Sequence, residues 1–318
     1  IDDIGEFFSN HFNWFGNYGC GTKKGLKEFQ DNWQKPFQKA FSEKICVDEA
    51  RIFEGEWGAA FGRQEAVHTG TFMGISPTNK KIQIRYMDFW HIKDNKINNN
   101  WVMVDFPDVL KQLGVDIYNG HGWENFDINQ QTHNCFNDES AIEKFIYEIT
   151  EEIWENKQVE NIRKYYSSDV IVRSPSITTY DCDKVVEATY KTLDQFPDRE
   201  LIGEDVISCG KINGTYLSSH RILSTGTHLG DGFYGKASGK KIIYRVIADC
   251  LVVDNTIVEE WIIRDEASIL LQLGFNVRDF VEQKITDGTF LKTDIAVSYT
   301  HLRAHETEAE VVCRLLLE

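Results

Sequence analysis

The sequence predicts an α+β protein built from two tandem copies of one domain. The first observation is a repeat: the frame I-x3-W-x3-D-x4-L-x-QLG occurs twice, at an offset of 160 residues. It runs from Ile97 to Gly114 in the first copy and from Ile257 to Gly274 in the second. The second observation is that each frame combines β-rich residues with a short helix, and that helical patterns precede the strands of the second copy.

The elements of the two copies follow in the same order. Alternating β-rich residues predict strands at 82–92 and 97–106 in the first copy, joined by a polar turn and followed by a helix that ends at Gly114. The second copy repeats this pattern with strands at 241–253 and 257–264 and a helix that ends at Gly274. Upstream of these, the pattern predicts helices at 143–166 and 183–196 and strands at 201–208 and 215–225.

These patterns give the domain boundaries. We predict a first domain at 1–117, a linker at 118–137, a second domain at 138–285 and a tail at 286–318. The first copy starts after its first helix should have begun, which predicts an N-terminal truncation. Residues 297–307 match the translation of a transposase adaptor used in DNA library preparation, so we expect 296–318 to be an artefact. The alternative is an amphipathic terminal helix.

Composition narrows the choice of partners. Asp and Glu number 50 against 34 Lys and Arg, for a formal charge of −16, so we expect no nucleic acid and no anionic membrane as partners. No stretch approaches eighteen apolar residues without a charge. The seven cysteines form no CxxC pair and no zinc spacing with His, which predicts no metal site. An odd cysteine count without a disulfide framework favours a cytoplasmic location, although a lost signal peptide stays open.

One set of motifs resembles a known family. Residues 68–78 read H-T-G-x-F-M-G-I-x-P-T, and the strands that follow end in Trp101-x3-Asp105 and QLG. These motifs resemble the SnoaL-like polyketide cyclase (ester cyclase) family, and the second copy matches it less closely around His228. The resemblance covers nearly all of residues 1–285. It implies the nuclear transport factor 2-like (cystatin-like) superfold, a cone-shaped half-barrel in which a curved antiparallel sheet packs on helices around a pocket. That superfold hosts cyclases, isomerases, dehydratases and binding proteins.

Strand pairing predicts which side chains face the pocket. If the turn is 93–96, then Ile92 pairs with Ile97, and one face carries a set of acids and large side chains: Tyr86, Asp88, Trp90, Trp101, Met103 and Asp105. In the second copy Asp265 then shares a face with Tyr244, Val246, Ala248, Trp261 and Ile263, and Asp249 points the other way. Because Ala248 stands where Asp88 stands, the first copy is favoured for chemistry. A different register would move Asp88 to the opposite face.

The resemblance also implies a mechanism. In the family an Asp in this pocket is the general acid/base for an intramolecular aldol ring closure of a polyketide ester, with no metal or cofactor. Carried onto this chain, Asp105 would be that residue, and His68, Tyr86 and a protonated Asp88 would donate hydrogen bonds. Asp265 and His228 are the counterparts in the second copy. Two carboxyls in one apolar pocket cannot both ionise at low cost, so one of them should keep its proton.

Each candidate residue also has a structural interpretation. Trp101 and Trp261 are then core residues, Asp105 and Asp265 are helix N-caps, and the two histidines close loops. At the level of function, we predict acid/base chemistry without a cofactor on a small enolisable carbonyl or polyketide-like substrate. The alternative is a non-catalytic protein that binds a small hydrophobic molecule, in which the two copies form an intramolecular pseudo-dimer.

Overall fold

The computed structural model describes residues 2–17, 20–118, 133–136, 141–175, 177–210 and 214–288. The predicted artefact at 296–318 and most of the predicted linker lie outside these ranges. The first copy has the strands β1 (Phe8–Phe15), β2 (Thr22–Lys24), β3 (Phe41–Glu54), β4 (Trp57–His68), β5 (Lys81–Lys93) and β6 (Lys96–Val104). Its helices are α1 (Leu26–Phe29), α2 (Lys35–Ala40) and α3 (Phe106–Gln112), with a π-helical turn, Gln30–Gln34, between α1 and α2.

A short strand, β7 (His133–Phe136), falls within the predicted linker, and the second copy follows it. That copy has the strands β8 (Tyr166–Arg173), β9 (Thr178–Tyr180), β10 (Glu200–Gly210), β11 (Thr215–Thr227), β12 (Lys241–Val253) and β13 (Thr256–Arg264). Its helices are α4 (Ala141–Ile149), α5 (Ile162–Tyr165), α6 (Cys182–Gln195), α7 (Glu266–Leu273) and α8 (Val277–Thr286).

The two copies share one topology. The strand order is β2-β1-β6-β5-β4-β3 in the first sheet and β9-β8-β13-β12-β11-β10 in the second, and β7 extends the first sheet beyond β3. Trp101 lies on β6 and Trp261 on β13, the matching strand, while Asp105 and Asp265 precede the matching helices α3 and α7. The prediction of two tandem α+β domains is therefore confirmed.

The sheets are open, but they differ from the predicted antiparallel sheets in one respect. They are mixed, because β1 runs parallel to β6 and β8 runs parallel to β13. The parallel pairing is possible because the chain leaves β1 and β8 through helices before the antiparallel meander begins.

The hairpin turns follow directly from the sequence. Asp94-Asn95 and Asp254-Asn255 all have positive φ, between 48° and 57°, which matches a two-residue turn with left-handed central residues. Asn and Asp adopt that conformation more readily than most residues, so the predicted turns are confirmed.

The long helix predicted at 143–166 is wrong. The chain forms α4, a π-helical turn at Thr150–Glu155, a 3-10 turn at Val159–Asn161 and then the short helix α5. Lys157, between these pieces, has a φ of 55°, which an α-helix does not allow. The amphipathic pattern continues across the break because both halves pack on the same core.

The predicted strand register is also wrong over most of each hairpin. Next to the turn, Ile92 pairs with Ile97 as predicted, but a bulge leaves Asn98 unpaired and the next pair is His91 with Asn99. The second copy has the same bulge at Val258, between the pairs Val252–Ile257 and Leu251–Glu259. One extra residue moves every later side chain of β6 and β13 to the other face.

Most of the buried hydrophobic side chains among the described residues belong to three clusters, with two smaller clusters in the second copy. One core lies inside the first copy, between its sheet and its helices, and includes Leu270, Val277 and Val281 from the second copy. A second core lies between the other sheet and α4–α6. The third is an inter-sheet layer in which the outer faces of the two sheets pack together, with Phe61 and Trp261 ring centroids 4.5 Å apart.

Candidate functional site

A cavity of about 90 Å³ lies inside the first copy, beneath α1 and α2. Most of its wall is aromatic or aliphatic, and Tyr86 and Trp90, two of the predicted pocket residues, line it. The polar side chains on its wall are Gln34, Gln38, Lys44, Cys46, Gln64, Tyr86 and Asn100. The apolar wall with a few polar groups has the composition of a small-molecule site, while the volume is smaller than the roughly 300–1,000 Å³ of most such sites.

Asp88 lies on the same strand and the same sheet face as Tyr86 and Trp90. Its side chain is fully buried, and the Nδ2 of Asn100 donates a hydrogen bond to its Oδ1 at 2.9 Å. Asn100 belongs to the cavity wall, so the carboxyl stands directly behind a side chain that a bound molecule would touch. A buried carboxyl held by an amide in this way has a fixed orientation.

The hydroxyl of Tyr86 is engaged by a second carboxyl. It donates a hydrogen bond to Asp48 on β3, and Asp48 also forms an ion pair with Arg51. The phenol is therefore fixed at the cavity wall by a partner that is itself charge-balanced.

Asp105 and Asp265 are the N-caps of their helices. Asp105 accepts a hydrogen bond from the backbone N–H of Asp108 at 3.1 Å, and Asp265 accepts one from Ser268 at 3.1 Å. Both are buried, and the bulge places Asp105 away from the face that carries Asp88. The predicted shared face of Asp88 and Asp105 is therefore wrong, and neither acid is itself part of the cavity wall.

The first turn of α3 holds another acid that sequence reasoning missed. Burial raises the pKa of Asp108 to about 6, although Arg85, Gln112 and Lys111 oppose the rise. The sequence signal was present, since Asp108 is the first residue of the predicted helix and stands three residues after the candidate acid Asp105.

His68 and His228 occupy equivalent places at strand ends. The Nδ1 of His68 accepts a hydrogen bond from the backbone N–H of Thr78 at 3.2 Å, and the Nδ1 of His228 lies 3.2 Å from the hydroxyl of Ser238. These bonds hold the loop that follows each strand. Burial lowers the pKa of His68, so this ring is neutral near pH 7.

The other predicted pocket residues lie between the copies. Trp101 and Trp261 belong to the inter-sheet layer, and the Arg221 guanidinium lies 3.8 Å from the ring centroid of Trp101. Met103 is also in this layer, and it borders a cleft of about 490 Å³ that Tyr244, Asp265 and Cys20 line as well. The structure therefore separates the predicted set into a cavity group and an inter-copy group.

Sequence reasoning also missed two titratable groups inside the second copy. Burial raises the pKa of Glu260 to about 7, and the Tyr166 hydroxyl donates to its carboxylate at 3.2 Å. Burial lowers the pKa of His220 to about 4. Glu260 stands 160 residues after Asn100, so the second copy has an acid where the first has the amide partner of Asp88. The second copy therefore has a buried acid besides Asp265, which the comparison of Asp88 with Ala248 did not predict.

No three His, Cys, Asp or Glu side chains are grouped to hold a metal ion in the part of the chain that the structure describes. Across the same ranges, none of the helices is long and apolar enough to cross a membrane. Cys209 is disulfide-bonded, so the expectation of a chain without disulfides is wrong there. Because disulfides persist in oxidising compartments, the cysteine argument for a cytoplasmic location loses its support.

Comparison with known proteins identifies the family. The profile of the SnoaL-like polyketide cyclase family matches residues 1–113 and 144–273, that is, both copies. The chain belongs to the SnoaL-like polyketide cyclase family. Nogalonic acid methyl ester cyclase from Streptomyces nogalater is 28% identical over 125 residues, which is 38% of this chain and 91% of that protein.

Solved structures show similarity over one copy's length. IdmH from Streptomyces antibioticus is 21% identical and aligns with 42% of this chain and 99% of its own, with a TM-score of 0.36. TsrD from Streptomyces laurentii is 15% identical and aligns with 44% of this chain and 98% of its own, with a TM-score of 0.37.

Proposed function

We propose that the first copy performs acid/base chemistry without a cofactor on a small enolisable carbonyl compound, with a polyketide ester as the first class to test. The observation that carries this proposal is the buried Asp88–Asn100 pair at the wall of an apolar cavity. Membership of a cyclase family supports it, as does the relative named for the cyclisation of a methyl ester.

Asp88 is the proposed acid/base. Asn100 covers its carboxylate, so catalysis requires the bound substrate to displace the Asn100 amide. The carboxylate then removes a proton from the carbon α to the carbonyl, and the electrons of that C–H bond form an enolate. The enolate carbon then attacks a second carbonyl carbon of the same molecule, which forms the new C–C bond and leaves an alkoxide. The alkoxide takes the proton back from Asp88. Lys44 and Gln64, both on the cavity wall, are the proposed donors that stabilise the transient negative charge.

Asp105 is the competing assignment. The family resemblance gives it the acid/base role, and its carboxyl is buried next to the first turn of α3. Neither acid is part of the cavity wall, but Asp88 lies on the sheet face that carries the wall residues Tyr86 and Trp90 and is bonded to the wall residue Asn100, which favours Asp88. His68 stays a weaker candidate donor, because its Nδ1 already holds the following loop.

The second copy is proposed to contribute less to turnover. Ala248 replaces Asp88 there, and the acid on the adjacent strand, Glu260, is bonded to Tyr166. Asp265 caps α7 and lines the cleft between the copies. His228 holds a loop in the same way as His68.

The test is a panel of β-keto esters and related enolisable compounds, assayed for turnover and for exchange of the α-proton with deuterated solvent. We expect Asp88→Asn to lower the rate by about a hundredfold or more, the size expected for loss of a general base. Glu260→Gln removes the buried acid of the second copy and should keep most of the wild-type rate.

Asp105→Asn and Asp265→Asn separate the two assignments, because each changes a helix cap in one copy. Full turnover in Asp88→Asn together with a loss confined to folded Asp105→Asn would transfer the role to Asp105. Equal losses in Asp88→Asn and Glu260→Gln would contradict the asymmetry between the copies.

A second candidate function is a non-catalytic pseudo-dimer that binds a hydrophobic small molecule. The apolar inter-sheet layer favours it, because the two sheets pack on each other as the subunits of a dimer do. In that case the panel compounds bind, but no variant changes the rate of proton exchange relative to buffer.

A further inference from the structure

A buried arginine without a counter-charge stands inside the second copy. Arg199 lies just before β10 and is 7% exposed. Among the described residues, its Nε and Nη2 have no hydrogen-bond partner, and no carboxylate lies within ion-pair distance of its guanidinium. A buried charge in this state is costly unless something pairs with it.

The surroundings of Arg199 make the excess positive charge larger. The nearby Arg264 is a second cation, and it bonds Glu266 through its Nε at 3.1 Å. Glu266 also accepts the hydroxyls of Tyr118 and Tyr234. The Arg199 guanidinium lies 5.6 Å from the ring centroid of Trp154, which contributes attraction but no counter-ion.

The first copy has a cation at the equivalent position. Ile45 on β3 pairs with Glu65, and Glu200 on β10 pairs with Thr225, which stands 160 residues after Glu65. The residues just before these strand positions are Lys44 and Arg199. Lys44 lines the cavity of the first copy, with its ammonium 5.1 Å from a phenylalanine ring. Both copies therefore place a cation at this point of the fold, and each cation lies beside an aromatic ring from a different element, Phe37 on α2 and Trp154 in the turn after α4.

We propose that Arg199 is the anchor of a second binding site that takes the carboxylate of a small aromatic acid. The planar guanidinium offers two parallel N–H groups that match a carboxylate, and the Trp154 ring provides a flat surface beside it. Trp154 is half-buried, so one part of its ring is within reach of a ligand from solvent. This inference is independent of catalysis in the first copy.

The experiment measures the binding of sodium benzoate to the full chain by calorimetry and by thermal shift, at constant ionic strength. Benzamide serves as the neutral probe of the same shape, and sodium chloride and sodium sulfate as inorganic anions. We expect saturable stabilisation by benzoate alone. Arg199→Gln should weaken benzoate binding roughly tenfold or more, since a charge-assisted hydrogen-bonded pair is lost. In the absence of anion, this variant should be at least as stable as the wild type.

Three further variants test whether benzoate binding depends on Arg199 itself and on its planar guanidinium. Arg278→Gln removes an exposed arginine and should bind benzoate as the wild type does. Lys44→Gln removes the equivalent cation of the first copy and should keep the Arg199-dependent binding. Arg199→Lys keeps the charge without the planar fork and should bind more weakly than the wild type. Unchanged benzoate binding in Arg199→Gln, or equal stabilisation by benzamide, chloride or sulfate, would overturn the proposal.

Discussion

Asp249 should make the stability of this protein depend on pH, and its substitution should remove that dependence. It lies on β12 in the inter-sheet layer, directly opposite Trp261 on one side and Ser219 on the other. Its side chain is 1% exposed, and neither carboxyl oxygen has a well-formed hydrogen bond to the described residues. Burial raises the pKa of Asp249 to about 7 from an ordinary value of 3.8, and only the Ser219 hydroxyl opposes the rise.

The direction in which stability changes with pH follows from the two pKa values of Asp249, about 7 in the folded chain and 3.8 in the unfolded chain. Below pH 4 the carboxyl is protonated in both the folded and the unfolded chain, so it has no effect on their balance. Between pH 4 and pH 7 the unfolded chain loses this proton while the folded chain keeps it, so stability falls as the pH rises. Above pH 7 the loss is constant at roughly 4 kcal/mol, since each pKa unit is worth about 1.4 kcal/mol.

Asp249→Asn should therefore stabilise the protein at pH 8 by up to about 4 kcal/mol and have little effect near pH 4.5. The measurement is urea unfolding of wild type and variant across this pH range. Asp194→Asn is the matched control, because Asp194 is exposed near the end of α6 and should show no such dependence. A variant that is less stable than the wild type by the same amount at both pH values would refute the reasoning, because Asp249 would then be a partnered group.

Two further changes test the contacts between the copies. Phe61→Ala removes a ring 4.5 Å from the indole of the other sheet and should cost about 3–5 kcal/mol in urea unfolding, whereas Ile177→Ala, at an exposed position, should cost little. Tyr118→Phe removes the hydroxyl that donates to Glu266 at 3.1 Å and should cost about 1–3 kcal/mol; Tyr190→Phe, which removes an exposed hydroxyl bond, should cost less than 1 kcal/mol. Equal losses within either pair would contradict the assigned contacts.

Local signals predicted most of the fold. The turn at Asp94-Asn95 is encoded by two residues that tolerate left-handed backbone, and the QLG frames end helices as glycine does. The repeat then extended these assignments from one copy to the other. Each of these features depends on a few neighbouring residues, so the sequence is sufficient to find them.

Predicting which side chains face the cavity required the register of the hairpin strands. That register is set by one bulged residue in each hairpin, Asn98 in the first copy and Val258 in the second. Nothing in the local pattern marks Asn98 or Val258 as bulged, because alternation continues on both sides of each. The bulge moved Trp101 out of the cavity and into the inter-sheet layer, while Asp88 stayed with Tyr86 and Trp90. The bulge occurs at the same place in both copies, so it is a feature of this domain and not of one copy.

The break in the predicted 143–166 helix has a different origin. Periodicity reports which residues face a core, and the residues on either side of Lys157 face the same one. A change of backbone direction that keeps the same face buried leaves the periodic signal almost intact. Only the tertiary structure distinguishes a broken helix from a continuous one in that case.

The two copies share one strand order but differ in the polar side chains of their interiors. Asp88 and Asn100 in the first copy correspond to Ala248 and Glu260 in the second, and Arg199 corresponds to Lys44. A packed interior selects against unpaired polar groups, so random drift after duplication should have replaced them with apolar residues. The second copy holds a buried acid at Glu260, which is bonded to Tyr166, and a buried cation at Arg199 without a counter-charge among the described residues. A buried arginine in this state is explained if the interior of the second copy binds an anion, and capture of a carboxylate is the proposal made for it.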